Sequence, residues 1–404
     1  MNRHIVHLDL DTFFVSCERL IDRKLNNIPV LIGGTSDRGV VAACSYESRQ
    51  FGIHSGMPMK MARLLCPDAI VIRGNSSVYT KFSEMVTDII KEQSPLFEKS
   101  SIDEFYVDVT GMDKFFGTYQ WAKELREKII KETMLPISFG LSINKTVSKV
   151  GTSEAKPNNF INIPDGFEKP FLAPLSVKKI PMVGEKTYNL LRSMGIEKVK
   201  TVQEMPVQLM ESVLGKNGTL LWKKAQGVDN SPVIAFHERK SISMERTFEK
   251  DSTDIIKMQS ILTAMAENLS YQLRVGNKLT ACVAVKIRYS DFQTYSKQRK
   301  IHYTSLDHTL INITLELFKA LYKRRVLIRL IGVRFSHLIG GSYQIRLFED
   351  SEKLIKLYQS MDKIRNRYGQ KAVKRAVTMG VKSVGSMTNP FNGQPPVIPA
   401  HRRS

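Results

Sequence analysis

Two short acidic segments hold the residues best suited to chemistry. Asp9 and Asp11 lie in the run IVHLDLDTFF of residues 5–14, and Asp103, Glu104 and Asp108 lie in SIDEFYVD of residues 101–108. Each segment places carboxylates in or beside an apolar, β-prone run, where an ionised side chain is costly unless a cation or hydrogen bonds compensate it. Carboxylates at the ends of two neighbouring strands form a hard-oxygen site that suits Mg²⁺ and the phosphates it carries. Taken alone, either segment is equally compatible with strand-end acids that face solvent.

Strands and helices alternate in the part of the chain that must position these acids. The residue pattern predicts strands at 5–10, 29–33, 40–43, 105–109 and 137–142, and helices at 55–65, 78–93, 119–132 and 144–154. Such interleaving favours an α/β layer that carries the acids at its strand ends.

The next part of the chain is predicted to be helical. The length of 404 residues indicates two to four domains. The segment 164–174 contains three prolines and indicates a domain boundary. Helices with short loops are predicted after it, at 175–230. Within them, a tight turn at Gly184 opens a helix, and its backbone N–H groups and Lys186 could hold a phosphate without reading a base. A helix–turn–helix with a glycine cap is at least as compatible with this segment. The polar, basic residues 236–242 are predicted to be a tether.

Positive charge is concentrated in the second half of the chain. The net charge is +21; residues 1–236 hold 30 basic and 26 acidic side chains, whereas residues 237–404 hold 30 and 13. A nearly neutral first half joined to a strongly basic second half indicates a polyanion bound chiefly by the second. Nucleic acid is favoured over a membrane surface, because the sequence contains no basic amphipathic helix with a bulky apolar face.

Beyond the tether, the pattern predicts a second mixed domain with a cationic sheet. Helices are predicted at 255–273, 310–321 and 351–368, and strands at 280–289, 298–303 and 328–336. Alternation places Lys286 and Arg288 on one face of their strand, and Arg334 lies in a later strand. A sheet with cations along one face suits the backbone of a duplex. Residues 389–404, rich in Pro, Gly and Asn, are predicted to be disordered.

Cysteine spacing and hydropathy indicate the compartment. The four cysteines show neither C-x-x-C spacing nor a histidine pair at zinc-ligand distance. We therefore expect a reducing cytoplasm, with neither a zinc site nor a disulfide framework. No apolar run reaches membrane-spanning length, and the first residues do not have the pattern of a signal peptide.

Five fragments occur in one order and one spacing: D-L-D-T-F-F, C-S-Y-E-S-R-Q-F-G-I, S-I-D-E, A-K-P-N and I-G-V-R-F-S. Together they resemble the Y-family of DNA polymerases, in particular its DNA polymerase IV-like branch, over about residues 4–348. The resemblance implies a multi-domain α/β (α+β) right-hand fold. Its implied parts are a palm at 1–13 and 75–165, fingers at 14–74, a helix–hairpin–helix thumb at 166–235, a linker at 236–242, an α/β little finger at 243–341, and a clamp-binding peptide, helix and disordered tail at 342–404.

The resemblance also implies a two-metal catalytic site. Nucleotidyl transfer uses two cations, expected here to be Mg²⁺, one activating the primer 3′-hydroxyl and one holding the triphosphate. Asp9 and Asp103 would bridge the metals, Glu104 would hold the catalytic one, and the carbonyl of Leu10 would add an oxygen ligand. Asp11 is interpreted as structural, because alternation along the strand points it away from Asp9.

Nucleotide-binding residues are implied in the same way. Tyr46, Arg49 and Lys156 match the family's triphosphate-binding Tyr, Arg and Lys. Phe14 matches its steric gate, an aromatic ring that clashes with a ribose 2′-hydroxyl and so rejects ribonucleotides. The neighbouring Phe13 is assigned to the same pocket, chiefly as a core ring behind the gate.

Primer–template DNA is the implied polymer. Gly184 and Lys186 lie where the family's thumb carries a helix–hairpin–helix that holds the minor-groove backbone, and Lys286, Arg288 and Arg334 lie in its DNA-gripping little finger. Gly184 is expected to keep the thumb turn, although the preceding P-M-V places a methionine where a glycine is common in the family.

The segment Q-I-R-L-F at residues 344–348 resembles the peptide that binds the bacterial sliding clamp. Leu347 and Phe348 would anchor in an apolar cleft, and Gln344 would hydrogen-bond at its rim. A short pattern of this kind is also compatible with an ordinary lead-in to the following helix.

The resulting prediction is a template-directed, low-fidelity DNA polymerase that extends primers with deoxynucleoside triphosphates in translesion synthesis and DNA repair. We expect a monomer in the bacterial cytoplasm, associated with the nucleoid and not with a membrane. One alternative is a catalytically inactive DNA-binding repair factor, against which the complete set Asp9, Asp103 and Glu104 argues. A second is a nucleotidyl cyclase on a similar palm, which would need neither Phe14 nor the cationic second half.

Overall fold

The described residues fall into two units that are each built from helices and sheets. The computed structural model describes residues 3–112, 117–341, 351–369 and 372–381. Unit 1 ends at His237, and unit 2 begins at Glu238. None of the helices in these ranges is long and apolar enough to cross a membrane. The predicted α+β class is confirmed in both units.

A five-stranded sheet forms the centre of unit 1. In chain order the elements of this unit are β1 (Ile5–Leu10), α1 (Phe13–Ile21), β2 (Val30–Gly33), β3 (Val41–Cys44), α2 (Tyr46–Arg49), α3 (Met59–Leu65), β4 (Ile70–Ile72), α4 (Ser76–Gln93), β5 (Leu96–Lys99), β6 (Glu104–Asp108), α5 (Thr118–Thr133), β7 (Ile137–Ser142), α6 (Lys145–Ala155), β8 (Phe160–Asn162), α7 (Glu168–Leu172), α8 (Glu185–Ser193), α9 (Val199–Glu204), α10 (Val207–Leu214) and α11 (Lys216–Ala225). The sheet order is β5-β6-β1-β7-β8, antiparallel except for the β7–β8 pair. A separate three-stranded sheet has the order β3-β2-β4.

The central strand β1 is buried on both faces, which explains its apolar character. Val6, Leu8 and Leu10 join the core formed with α4 and α5. His7 lies on the opposite face and contacts α6 through Thr152. Side chains alternate along a strand, so residue 9 shares the α6 face at the end where the strand leaves the core.

Two glycines bring α6 unusually close to the central sheet. A Cβ on Gly140 in β7 would lie 2.3 Å from the carbonyl oxygen of Ser148 and 2.6 Å from the backbone nitrogen of Thr152. A Cβ on Gly151 would lie 2.6 Å from the side chain of Ile163. The positions of the side chains that α6 directs toward the sheet therefore depend on glycine, which has no Cβ, at both sites.

The Gly140→Ala variant tests this close approach. The added methyl must displace backbone atoms of α6, and overpacking of this kind costs about 3 kcal/mol. We expect a lower free energy of unfolding in a denaturant titration. Gly340→Ala, at the end of β12, is the control, because its Cβ would meet nothing within 4 Å. Equal stability of the two variants would show that α6 can move away from the sheet without cost.

The helical segment after α7 contains the predicted turn, but a different residue makes it. Gly184 has an extended backbone, φ −82° and ψ 173°, and caps α8. Met182, two residues earlier, has φ +83° and is exposed. The prediction that Gly184 keeps the turn is therefore wrong. The left-handed conformation falls where the sequence has a methionine, a residue for which φ > 0 is uncommon.

Unit 2 is a four-stranded antiparallel sheet with helices on one face. Its elements are β9 (Ser241–Ser252), α12 (Ile255–Val275), β10 (Lys278–Tyr289), β11 (Thr294–Thr304), α13 (Asp307–Leu321), β12 (Ile328–Gly340) and α14 (Ser351–Tyr368). The strand order is β11-β10-β12-β9. Residues Val283, Val333 and Phe335 pack with α12 and α13, which leaves the opposite face open to solvent.

Strand β9 corrects the predicted tether. The predicted tether spans residues 236–242, and no strand is predicted between it and residue 255, whereas β9 begins at Ser241. Ile242 and Phe248 are buried in the unit 2 core, but charged and polar residues dominate the rest of the strand. An edge strand with one solvated face needs few apolar residues, so its pattern is weak.

Helix α14 is attached to unit 2 by buried ion pairs. Arg274 of α12 donates to Asp307 and, from Nε, to Asp362 of α14, both at 2.5 Å. Arg365 of α14 donates to Glu267 of α12 at 2.6 Å. Burial raises the pKa of Asp307 and of Glu267, and the arginines oppose this shift. A buried charge without its partner is strongly destabilising, so these contacts tie α14 to α12 and α13.

Candidate active site

Strand pairing brings the three predicted carboxylates to one end of the central sheet. Asp9 of β1 is the register partner of Glu104 of β6. The backbone nitrogen of Leu10 donates to the carbonyl oxygen of Asp103 at 3.0 Å, so Asp103 lies beside the same strand end. Two segments about ninety residues apart in the sequence therefore form one acidic cluster.

Burial and mutual repulsion oppose ionisation of this cluster. The pKa of Asp9 is raised to about 7, with burial as the largest cause; Lys156 opposes the shift, and Glu104 and Asp103 add to it. Burial also raises the pKa of Asp103, and Ser101, whose hydroxyl donates to Asp103, opposes that shift. A site that penalises negative charge in this way is stabilised by bound cations.

Two lysines supply the positive charge that the acids receive in this structure. Lys156 donates to Oδ1 of Asp9 at 2.6 Å. Lys149 donates to both carboxylate oxygens of Glu104, each at 2.6 Å. In the described ranges, no three His, Cys, Asp or Glu side chains are arranged closely enough to hold a metal ion as they stand. The donor set nevertheless fits a hard divalent cation, because all the acidic ligands are oxygens and both compensating groups are cationic.

Lys149 was not singled out from the sequence. The sequence predicts only that Lys149 lies on the helix at 144–154, one turn after Lys145. Whether such a lysine reaches the acids depends on how closely the helix packs on the sheet, and the glycines at 140 and 151 decide that distance.

Asp11 is buried at the end of β1 and contacts residues from several neighbouring segments. It is 1% exposed and accepts hydrogen bonds from the hydroxyl of Ser138 at 2.8 Å and the backbone nitrogen of Asn158 at 2.7 Å. The hydroxyl of Tyr46 donates to it at 3.3 Å, and Lys156 lies 3.5 Å away. Asp11 therefore connects the end of β1 to the segments that carry Tyr46 and Lys156.

The aromatic residues at the start of α1, the helix that follows β1 in the chain, form a stack with Tyr79 of α4. The ring of Phe14 is half-buried and lies parallel to the ring of Tyr79, with centroids 4.3 Å apart and an interplanar angle of 13°. Phe13 is buried in the core and contacts both rings. The hydroxyl of Tyr79 donates to Glu18 at 2.5 Å, which fixes the ring that supports Phe14. Tyr79 is a second residue that sequence reasoning missed, since it reads as an ordinary helix position.

Tyr46 and Arg49 lie together on α2. Ser45 caps this short helix by accepting from the backbone nitrogen of Ser48. The guanidinium of exposed Arg49 lies 4.9 Å from the centroid of the Tyr46 ring. Burial raises the pKa of Tyr46, so its hydroxyl stays protonated. The structure thus brings Tyr46 and Lys156 to one carboxylate, with Arg49 beside them.

The predicted DNA-binding cations share the open face of the unit 2 sheet. Lys286 and Arg288 alternate with buried residues of β10, and Arg334 pairs with Ala284 on the same face. Lys286 donates to Glu245 of β9 at 2.6 Å. The groove across this face has a volume of about 740 Å³ and is lined by residues of all four strands.

The remaining predicted contacts fall in two places. Lys186 is exposed in the first turn of α8, next to Gly184. Gln344, Leu347 and Phe348 lie outside the described residues, as does the predicted disordered tail at 389–404.

Three family models match separate stretches of the chain. Residues 8–153 match the family described as impB/mucB/samB, and residues 239–347 match the C-terminal domain of that family. Residues 178–229 match the thumb domain of DNA polymerase iota.

Relatives extend along nearly the whole chain. A Dehalococcoides mccartyi protein named DNA polymerase IV is 37% identical over 386 residues, which cover 95% of this chain and 99% of the relative. A Clostridium perfringens protein of the same name is 34% identical over 340 residues, covering 83% and 95%. A solved Y-family DNA polymerase chimera of Dbh and Dpo4 shares the fold at a TM-score of 0.75 and 24% identity, covering 84% of this chain and 100% of the chimera. The chain therefore belongs to the Y-family of DNA polymerases, in its DNA polymerase IV-like branch.

Proposed function

We infer that this protein is a DNA-directed DNA polymerase that extends primers at low fidelity in translesion synthesis and DNA repair. The observation that carries this function is the strand register that places Asp9 opposite Glu104, with Asp103 beside them. The relatives named DNA polymerase IV support the same activity. An inactive repair factor would have no need of this paired carboxylate arrangement.

Y-family membership implies the use of divalent metal, and we propose two Mg²⁺ ions. Asp9, Asp103, Glu104 and the carbonyl of Leu10 would hold them. When bound, the two ions activate the primer 3′-hydroxyl and neutralise the triphosphate. The protein itself supplies a site closed on one side by the sheet, with Lys156 and Lys149 already placed against the acids.

The side chains around the acids support separate roles in nucleotide binding. Lys156, Tyr46 and Arg49 are proposed to hold the triphosphate, with Arg49 able to grip phosphate through two parallel hydrogen bonds. Phe14 is proposed to exclude a 2′-hydroxyl, because Tyr79 behind it prevents the ring from moving away. Phe13 would fix the pocket from the core side.

Primer extension distinguishes this function from its two alternatives. The purified protein with Mg²⁺, a primer–template duplex and deoxynucleoside triphosphates should lengthen the primer one template-directed nucleotide at a time. Duplex binding without extension would instead indicate an inactive binding factor, and a cyclic nucleotide product would indicate a cyclase.

The open face of the unit 2 sheet is proposed to bind the DNA backbone, together with Gly184 and Lys186 of the thumb. We expect Arg334→Ala to weaken duplex binding and to reduce the slope of log affinity against log salt by about one. Arg299→Ala is the matched control, because Arg299 pairs with Glu316 on the helical side of the sheet. Fluorescence anisotropy at several salt concentrations measures both. An unchanged slope for Arg334→Ala would exclude this face from the interface.

The peptide at residues 344–348 is proposed to bind the bacterial sliding clamp. Deleting these five residues should abolish the stimulation of synthesis by the clamp and leave synthesis without clamp unchanged. A primer-extension assay with and without loaded clamp measures both quantities. Stimulation that persists after the deletion would place the clamp contact elsewhere on the protein.

The right-hand domain assignment accompanies this function. We propose a palm at 1–13 and 75–165, fingers at 14–74, a thumb at 166–235 and a little finger from the start of β9, with the linker shortened accordingly to end before Ser241. A monomer in the bacterial cytoplasm, at the nucleoid, is the proposed working state.

A further inference from the structure

Glu104 has a cationic partner to which the polymerase activity assigns no role. Lys149 contacts both carboxylate oxygens at 2.6 Å, and the two side chains are only 29% and 22% exposed. A lysine that contacts both oxygens restricts the rotation of the carboxylate and also compensates its negative charge. The partly buried setting makes this pair stronger than an exposed one.

The packing of α6 fixes where Lys149 stands. Gly140 and Gly151 allow the helix backbone to approach the sheet, and Thr152, three residues after Lys149, hydrogen-bonds to the carbonyl of His7 at 2.9 Å. The helix is therefore anchored to β1 directly behind the acids. Moving Lys149 away from Glu104 requires a side-chain rotation, because the helix itself is held.

His7 is the second group near Glu104, and it cannot take the place of Lys149. The reason lies in its hydrogen bond to Thr152. The hydroxyl of Thr152 lies 2.9 Å from the carbonyl oxygens of His7 and Ser148, and its single proton is directed to these acceptors. The Nδ1 atom of His7, also 2.9 Å away, must then be the donor to Thr152. The Nε2 atom of neutral His7 is left without a proton, 4.0 Å from Glu104 and without a hydrogen-bond partner among the described residues.

We propose that Lys149 is the internal counter-ion of Glu104, a positioning residue that holds this carboxylate before the catalytic cation binds and competes with that cation for it. The proposal rests on the two-metal function inferred above. The free protein then binds divalent cations weakly at Glu104, since part of the lysine contact must be given up. The same contact keeps the carboxylate oriented, so loss of the lysine slows catalysis even though it strengthens cation binding.

Cation binding by the free protein tests the proposal independently of polymerase activity. Mn²⁺ would be titrated into full-length protein without DNA or nucleotide, with free Mn²⁺ measured by electron paramagnetic resonance. Lys149→Met removes the charge and should tighten Mn²⁺ binding by about tenfold. Lys149→Gln also removes the charge but can still donate one hydrogen bond, and it should tighten binding similarly. Lys149→Arg keeps the charge and should bind as the unchanged protein does.

Lys145→Met is the matched control for these variants. Lys145 lies one turn earlier on α6 and donates to Glu98 of β5 at 2.7 Å, and not to one of the three catalytic acids. Its loss removes a comparable Lys–Glu pair, so any general weakening of the helix occurs in the control as well. Mn²⁺ affinity should stay unchanged in Lys145→Met.

Steady-state kinetics supply the second readout. Single-nucleotide insertion should show at least a tenfold lower kcat for Lys149→Met with little change in KM for the nucleotide, and partial recovery of kcat in Lys149→Gln. Equal or weaker Mn²⁺ binding by both neutral variants would overturn the proposal, even if the unchanged protein extends primers. Absence of extension by the unchanged protein would instead remove the proposed function, and tighter Mn²⁺ binding by the variants would still identify Lys149 as the counter-ion.

Discussion

Asp103→Asn is expected to abolish primer extension, with a loss on the order of 10³-fold in kcat, while the affinity for primer–template DNA is unchanged or slightly higher. Asparagine has nearly the same shape and can still accept the hydrogen bond from Ser101, so the strand end should keep its structure. It lacks the negative charge that Asp103 would contribute to the two cations proposed above. Single-turnover extension and anisotropy on the same preparation measure the two quantities.

Asp108→Asn is the matched control for this variant. Asp108 is the last residue of β6, the strand that begins directly after Asp103, and its side chain accepts a hydrogen bond from the backbone nitrogen of Thr110 at 3.0 Å. It should extend primers at close to the normal rate. Extension that survived in Asp103→Asn would remove the central carboxylate of the proposed site and, with it, the mechanism.

Phe14→Ala is expected to raise ribonucleotide incorporation by on the order of 100-fold relative to deoxynucleotide incorporation. The wild-type ring is stacked on Tyr79, which is itself held by Glu18, and cannot retreat from a 2′-hydroxyl. Removing the ring leaves space for the hydroxyl without touching the carboxylates. The measurement is the ratio of kcat/KM for a ribonucleotide and the matching deoxynucleotide.

Variants of Tyr79 test whether support of the ring matters. Tyr79→Phe keeps the stacked ring and loses only the hydrogen bond to Glu18, so sugar discrimination should be retained. Tyr79→Ala removes the surface against which Phe14 rests, and discrimination should fall toward that of Phe14→Ala. Unchanged discrimination in Phe14→Ala would assign the exclusion of ribonucleotides to another group.

The sequence was sufficient to predict the acidic site because its signal is local. Strand β1 was predicted with its observed bounds, and strand-end acids at Asp9 and Asp103 need only two strands to be neighbours. The contact from Lys149 could not be predicted, because it depends on the distance between α6 and the sheet. That distance is set by Gly140 and Gly151, whose effect appears only when both elements are packed.

Other elements escaped prediction for different physical reasons. Strand β9 has one solvated face at the edge of its sheet, so its few buried residues do not produce a clear alternation. The turn before α8 is predicted at Gly184, yet it is Met182, two residues earlier, that takes the positive φ which glycine adopts without steric cost. Backbone preferences of single residues fail to predict this turn, because Met182 adopts a positive φ that is uncommon for residues other than glycine.

The ion pairs of α14 bear on where unit 2 can be cut. Family matching ends at residue 347, and the predicted little finger ended at 341. Truncation at either point would leave Glu267 without Arg365, and Arg274 with only one of its two carboxylate partners. Truncation would also remove the buried Tyr358 of α14 and expose the surface of unit 2 that this helix covers, which favours unfolding or association with other chains. The smallest autonomous version of this unit therefore extends through α14, and its expression boundaries should be chosen beyond residue 381.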